Sequence, residues 1–156
     1  CKGRDDQGDG RPYSWRLDVA EAVRRSGYLT WTDADAGEVQ ATPERLGDVV
    51  IARKDAPAAY HLAVVVDDDW QGVTDVVRGR DLFDSTHIHR LIQHILDIRP
   101  PAYHHHKLIG DAAGIRLAKR KNAPTLAAMR VEGVDPEALV AGLRAGVLLY
   151  GFCFSD

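Results

Sequence analysis

The clearest apolar stretch is Leu62–Val66, a Val-rich run that follows Tyr60 and His61 and is closed by Asp67, Asp68 and Asp69. A short continuous apolar run with polar closure predicts a strand buried on both faces, as in a parallel α/β sheet. Val73–Val77 repeats the β-branched signal and runs into Arg78-Gly79-Arg80-Asp81. Two predicted strands thus deliver charged residues at one end, where open α/β sheets bind ligands. Asp48–Ala52 predicts another strand, and Tyr103–Ile109 a further one that turns at residues 110–114. Tyr28–Asp33 and Val39–Ala41 carry β-type residues across a turn-like gap ending at Gly37. Tyr13–Arg25 has two readings, a weak helical stripe of Leu17, Ala20 and Val23 or a strand entering a helix; Gly27 stops either.

The strongest helical pattern is Ile88, Leu91, Ile92, Ile95 and Leu96, which fall on one face. Asp84-Ser85 is its predicted cap and Pro100-Pro101 its end. Thr125–Val131 predicts a short helix. Asp135 opens another, with Pro136 at its first position and Leu139, Leu143 and Val147 on one side. Residues 2–12 read as loop, and the apolar tail 146–156 fits no element. The pattern as a whole is α/β.

The 156 residues suffice for one domain with a core. A net charge of −3 gives no global basic field, so any RNA contact must be a local patch. No apolar run is long enough to span a bilayer, and no signal-peptide pattern opens the chain. The two cysteines, Cys1 and Cys153, stand at opposite ends, and reduced thiols in a cytoplasm are the expectation. Opening on Cys1 rather than Met reads as a processed N-terminus or a piece of a longer protein.

Candidate chemistry is concentrated in few places. Residues 116–121 form a basic run, either a solvated face or a cradle for polyphosphate, since a Lys ammonium suits phosphate oxygens. Seven histidines invite a metal reading, but no spacing matches a four-ligand zinc site. On a strand His104 and His106 share one face and His105 takes the other, while His87 and His94 share a helical face. No nucleophile elbow and no phosphate-binding P-loop occur.

Tyr60–Asp68, Gly72-Val73-Thr74, Val77–Asp81 and Arg116-Leu117-Ala118-Lys119-Arg120 together resemble the glutamyl-tRNA synthetase group of class I synthetases, and within it the short glutamyl-queuosine branch. Tyr103-His104-His105-His106 is similar to a stretch of its bacterial members. The resemblance runs from Cys1 to about Leu143 and covers the second half of the family's catalytic domain. It implies the C-terminal half of a Rossmann-type domain: residues 1–47 ending an insertion, 48–124 carrying the second half with its KMSKS-like loop, and 125–156 forming C-terminal helices and an atypical tail.

The resemblance also implies chemistry. Tyr60 and Arg78 match positions that contact glutamate, and an Arg can grip a carboxylate bidentately. Gly79 leaves room for close approach, and Asp81 orients the strand end. Residues 116–120 match the ATP-binding KMSKS loop, with Arg116 for its first Lys, Ala118 for its first Ser and Arg120 for its last Ser. Lys119 keeps the catalytic cation that steadies the leaving pyrophosphate, assisted by Mg²⁺. Cys1 resembles the last ligand of a zinc site whose other ligands lie upstream, so zinc is implied only for a full-length protein. The implied reaction is ATP-dependent activation of glutamate, then transfer to queuosine in the tRNA(Asp) anticodon by a monomer. The alternatives are a truncated synthetase charging tRNA(Glu) and a non-catalytic RNA- or metal-binding module. The family's HIGH motif is absent, so the chain alone is expected not to activate glutamate.

Overall fold

A computed structural model describes residues 13–117, 123–148 and 151–155. The chain divides into two compact units, one running to Arg78 and resuming over Leu82–His105, the other comprising Gly79–Asp81 and the chain from His106 onward.

The first unit opens with β1 (Trp15–Leu17) and α1 (Val19–Ser26), the strand-then-helix reading of that segment. Asp18 caps α1 by accepting from the Glu21 N–H at 3.1 Å, and Asp48 Oδ1 accepts from the Val19 N–H at 3.1 Å. Two carboxylates thus satisfy N–H groups that the first turn leaves open. Gly27 ends the helix at φ 69°, a conformation that costs glycine little. β2 (Thr30–Asp33) and β3 (Gly37–Gln40) form the expected hairpin, with Trp31 opposite Val39. A 3₁₀ turn over Pro43–Leu46 leads to β4 (Val49–Ala52), which pairs antiparallel with β1.

The predicted strand over Leu62–Val66 is instead a helix, α2 (Tyr60–Trp70). A short apolar run cannot tell a buried strand from a helix by periodicity, and here Asp67, Asp68 and Asp69 continue the helix instead of closing a strand. Val65 is buried while Val66 is 43 % exposed, so the run has one inner stripe rather than two buried faces.

β5 (Asp75–Gly79) follows, then a 3₁₀ turn over Arg80–Leu82 and α3 (Phe83–Ile95). Leu82 is the N-cap, so Asp84 lies inside the first turn, where its charge faces the positive helix end rather than capping it. The helix stops at Ile95, before the prolines, and Asp97 turns the chain at φ 56°. Ile88, Leu91 and Ile92 are buried as their spacing predicts, but Ile95 and Leu96 are largely exposed. β6 (Ala102–His106) completes a sheet of order β3-β2-β6-β5, parallel to β2 with Tyr103 opposite Asp33. The core joins Val19, Leu29, Val49, Val65, Ile88, Leu91 and Ile92.

In the second unit β7 (Leu108–Gly110) is separate from β6, so the single strand expected over Tyr103–Ile109 is broken at Lys107. Its partner is β8 (Cys153–Ser155) in the tail, antiparallel with Ile109 opposite Phe154. The apolar tail therefore supplies a strand. α4 (Leu126–Val131) is capped by Thr125, and α5 (Pro136–Arg144) by Asp135 with Pro136 in its first turn. Val147, expected on the face of α5, lies beyond its end. Among the described residues no helix is long and apolar enough to cross a membrane.

Candidate functional site

Alternation along β6 buries Tyr103 and His105 and exposes His104 and His106. His105 is 1 % exposed and is ringed by Trp31, Phe83 and Tyr103, the last stacked on it at 5.8 Å. Its Nδ1 lies 2.7 Å from Asp33 Oδ2, and its Nε2 lies 3.0 Å from Arg78 Nε. Arginine is donor-only, so His105 Nε2 accepts and His105 Nδ1–H donates to Asp33. Burial pushes the Asp33 carboxyl up, but the N–H groups of Ala36, Asp35 and His105 and the His105 ring outweigh it and hold Asp33 below the usual carboxylate range.

Arg78 is held on its other nitrogens too. Nη2 donates to Thr86 Oγ1 at 2.6 Å and to the Leu82 carbonyl at 3.3 Å, and Nη1 donates to His89 Nδ1 at 3.3 Å. The guanidinium stands 5.2 Å over the Tyr103 ring. Because His89 Nδ1 accepts, His89 Nε2 carries the proton and donates to His61 Nδ1 at 3.1 Å. Burial, then the Arg78 charge, lowers the His89 pKa to about 3, and the same two causes lower His61. The chain Asp33–His105–Arg78–His89–His61 therefore has one consistent set of protons, with His89 neutral. The Nε–Nη2 edge, one of the two forks a carboxylate could meet, faces His105 and Thr86.

Tyr60 opens α2 and is half exposed. Its ring packs against His61 at 5.4 Å and His89 at 5.7 Å, so His89 touches both Tyr60 and Arg78. Tyr60 and His61 line an open groove of about 550 Å³ with Arg16 and Arg53. Arg16 donates to the Asp48 carbonyl, and Arg53 pairs with Asp55. Among the described residues Arg78 has no carboxylate within ion-pair distance. Asp68 attracts it only at longer range, and burial raises the Asp68 pKa.

In the second unit Arg116 pairs with Asp81 at 2.8 Å. A Cβ at Gly79 would stand 2.5 Å from Asp81 Oδ1, so Gly79 makes room for that carboxylate. Leu117 N–H donates to the Ile109 carbonyl, which ties the start of the basic loop to β7. Ala118, Lys119, Arg120 and Cys1 lie outside the described residues. Among the described residues no three His, Cys, Asp or Glu side chains gather as metal ligands. His87 is buried, accepting from Trp31 Nε1 and the Thr42 N–H at 3.3 Å, while His94 is exposed, so these two have separate surroundings.

Sequence reasoning named Arg78 and Tyr60 but missed Asp33, Thr86 and His89 as their supports. The signal available was alternation, which places His105 opposite its two neighbours. Nothing local in Thr30–Asp33 marks Asp33 as the partner, because that contact spans two strands.

The family profile of class I tRNA synthetases (E and Q), catalytic domain, matches residues 3–151. A glutamyl-Q tRNA(Asp) synthetase of Rhodobacter capsulatus is 45 % identical over 140 residues, covering 86 % of this chain and 50 % of the relative. Its namesake from Deinococcus radiodurans is 40 % identical, covering 88 % of this chain and 45 % of the relative. The chain spans about half the length of the curated relatives it matches. A solved glutamate-tRNA synthetase of Elizabethkingia anophelis superposes with a TM-score of 0.53 at 27 % identity, over 62 % of this chain and 20 % of that one. The chain belongs to the catalytic-domain family of class I tRNA synthetases for glutamate and glutamine.

Proposed function

We propose that this chain is the C-terminal catalytic part of an enzyme that activates glutamate with ATP and transfers the glutamyl group to queuosine in the anticodon of tRNA(Asp). The observation that carries the reading is a half-buried guanidinium, Arg78, whose hydrogen-bond partners among the described residues are all neutral. A partly desolvated cation without a paired anion favours an anionic ligand. The similarity to glutamyl-Q tRNA(Asp) synthetases supports a glutamyl group as the ligand and tRNA(Asp) as the acceptor.

In this reading Arg78 attracts a carboxylate of glutamate through its fixed charge and the Nη1 hydrogen that His89 does not take. Tyr60 closes the site from the half-exposed start of α2. Arg116 and Leu117 begin the ATP-binding loop continued by Ala118, Lys119 and Arg120, with Lys119 steadying the leaving pyrophosphate. Mg²⁺ accompanies ATP and neutralises phosphate charge. Catalysis is chiefly positioning and charge neutralisation.

The test is glutamate-dependent ATP–pyrophosphate exchange by the full-length protein without any tRNA. Exchange is expected in its absence, followed by labelling of tRNA(Asp) that carries queuosine. Exchange that begins only on adding tRNA(Glu) would overturn the queuosine reading in favour of tRNA(Glu) charging.

A further inference from the structure

We infer that His105, fixed in one tautomer by Asp33, is a positioning residue for Arg78 and so governs recognition of the substrate carboxylate; this rests on the glutamate reading above. The geometry separates two tasks that a direct Asp–Arg pair would merge. Asp33 contacts the imidazole and not the guanidinium. A carboxylate placed directly on Arg78 would orient it but would also satisfy the charge that an incoming ligand must meet. A neutral imidazole in between transmits orientation and leaves the charge unneutralised at contact distance.

The ring can do this only in one protonation pattern. With the proton on Nδ1, Asp33 receives it and Nε2 presents a lone pair to Arg78 Nε–H. With the proton on Nε2, two donors would face each other and Arg78 would have to move. Asp33 is itself held: its Oδ1 accepts from the Asp35 and Ala36 N–H groups, and its Oδ2 from the His105 N–H and ring. Trp31, Phe83 and Tyr103 pack around the His105 ring, which is 1 % exposed. Thr86 completes the set, its hydroxyl oxygen accepting from Arg78 Nη2 and lying 3.1 Å from His105 Nε2. Both ring nitrogens of the buried imidazole are thus satisfied, one by a carboxylate and the other by a guanidinium.

Two substitutions read the two nitrogens separately. His105→Asn places an amide where Nδ1 was, keeping a donor for Asp33 and removing the acceptor for Arg78. His105→Gln reaches the Nε2 position, restoring an acceptor for Arg78 and losing the donor to Asp33. In the full-length protein, initial rates of ATP–pyrophosphate exchange are measured against glutamate and against ATP, beside thermal melting. The expected result is a KM for glutamate raised about tenfold or more in His105→Asn, the size of one lost hydrogen bond to a charged group. The KM for ATP should stay within about twofold, and His105→Gln should recover most of the glutamate affinity. Thr86→Val, which keeps shape and removes the oxygen that accepts from Nη2, should raise the glutamate KM in the same selective way, and it serves if His105→Asn fails to fold. Asn performing better than Gln, or both KM values moving together with melting temperature, overturns the inference and assigns His105 to the core alone. A wild-type protein without glutamate-dependent exchange overturns the parent reading instead, and the inference with it.

Discussion

His89 lies where a single proton would undo the site. It is 1 % exposed, accepts from Arg78 and donates to His61. Protonating it would put two cations in contact away from water, and its pKa is accordingly lowered to about 3 by burial first and Arg78 second. A histidine whose folded pKa lies below its unfolded value binds fewer protons when folded. Its contribution to stability is complete above the unfolded value near 6.5 and declines as pH falls toward 3. His61 and His87, both lowered by burial, add in the same direction. Asp33, held low, loses its contribution only below the usual carboxylate range, whereas the raised Asp68 works the opposite way. Between roughly pH 6.5 and 5 the histidines therefore dominate. Urea unfolding of the protein across that window should show stability falling with pH, with a share of up to about 1.4 kcal/mol per pH unit removed by His89→Gln. An unchanged slope in that variant would show that His89 takes up its proton as freely folded as unfolded.

At the level of elements, the turn after β5 couples a missing side chain to a charge. Gly79 leaves space for Asp81, and Asp81 holds Arg116 at the start of the basic loop. Gly79→Ala would place a methyl group 2.5 Å from Asp81 Oδ1 and 2.9 Å from Leu108 Cδ2, so the Asp81 carboxylate and the Leu108 side chain must swing aside. The expected outcome is a destabilisation of about 1 kcal/mol or less and a loss of affinity larger for ATP than for glutamate, because the carboxylate that holds Arg116 is displaced. Kinetics of the full-length variant check it, and an unchanged KM for ATP would separate the loop from the Asp81 tether. The pairing of Asp81 with Arg116 was not legible, since the sequence suggested only that Asp81 orients the strand end and the contact joins residues far apart in the chain. The strand at Val49–Ala52, the hairpin around Asp33–Gly37 and the capped helices at Thr125 and Asp135 were legible for local reasons. α2 was not, because its apolar run is too short to show a helical period before the aspartates begin. β8 was not, because Cys153–Ser155 becomes a strand through pairing with β7, a contact more than forty positions away in sequence. The support of Arg78 by His105 and His89 was hidden for the same reason, since each bond joins separate elements and no spacing encodes it.

For the whole molecule, the residues of the proposed reaction divide into what this chain carries and what it does not. It contains Arg78, a guanidinium with neutral partners proposed to meet a carboxylate, and a basic run beginning at Arg116 proposed to meet phosphates. It contains no His-Ile-Gly-His motif or variant with glycine and histidine at those spacings, and it spans about half the length of its relatives. Adenylate formation needs the glutamate carboxylate and the α-phosphate held in line at near-bonding distance, and about 1 Å of misplacement costs on the order of a hundredfold in rate. One binding half can retain affinity for glutamate while supplying little of that alignment. The isolated 156 residues are therefore expected to give no measurable ATP–pyrophosphate exchange at glutamate concentrations that saturate the full-length protein. Both proteins would be assayed side by side, with pyrophosphate exchange as the readout and glutamate titrated in each. Exchange by the isolated chain would mean that ATP is aligned by the basic run and its neighbours without the HIGH motif, and that the division of labour argued from Arg78 and Arg116 is wrong. Exchange confined to the full-length protein would place the alignment of ATP in residues that this chain lacks, leaving to Arg78 and its histidine supports the choice of the acid.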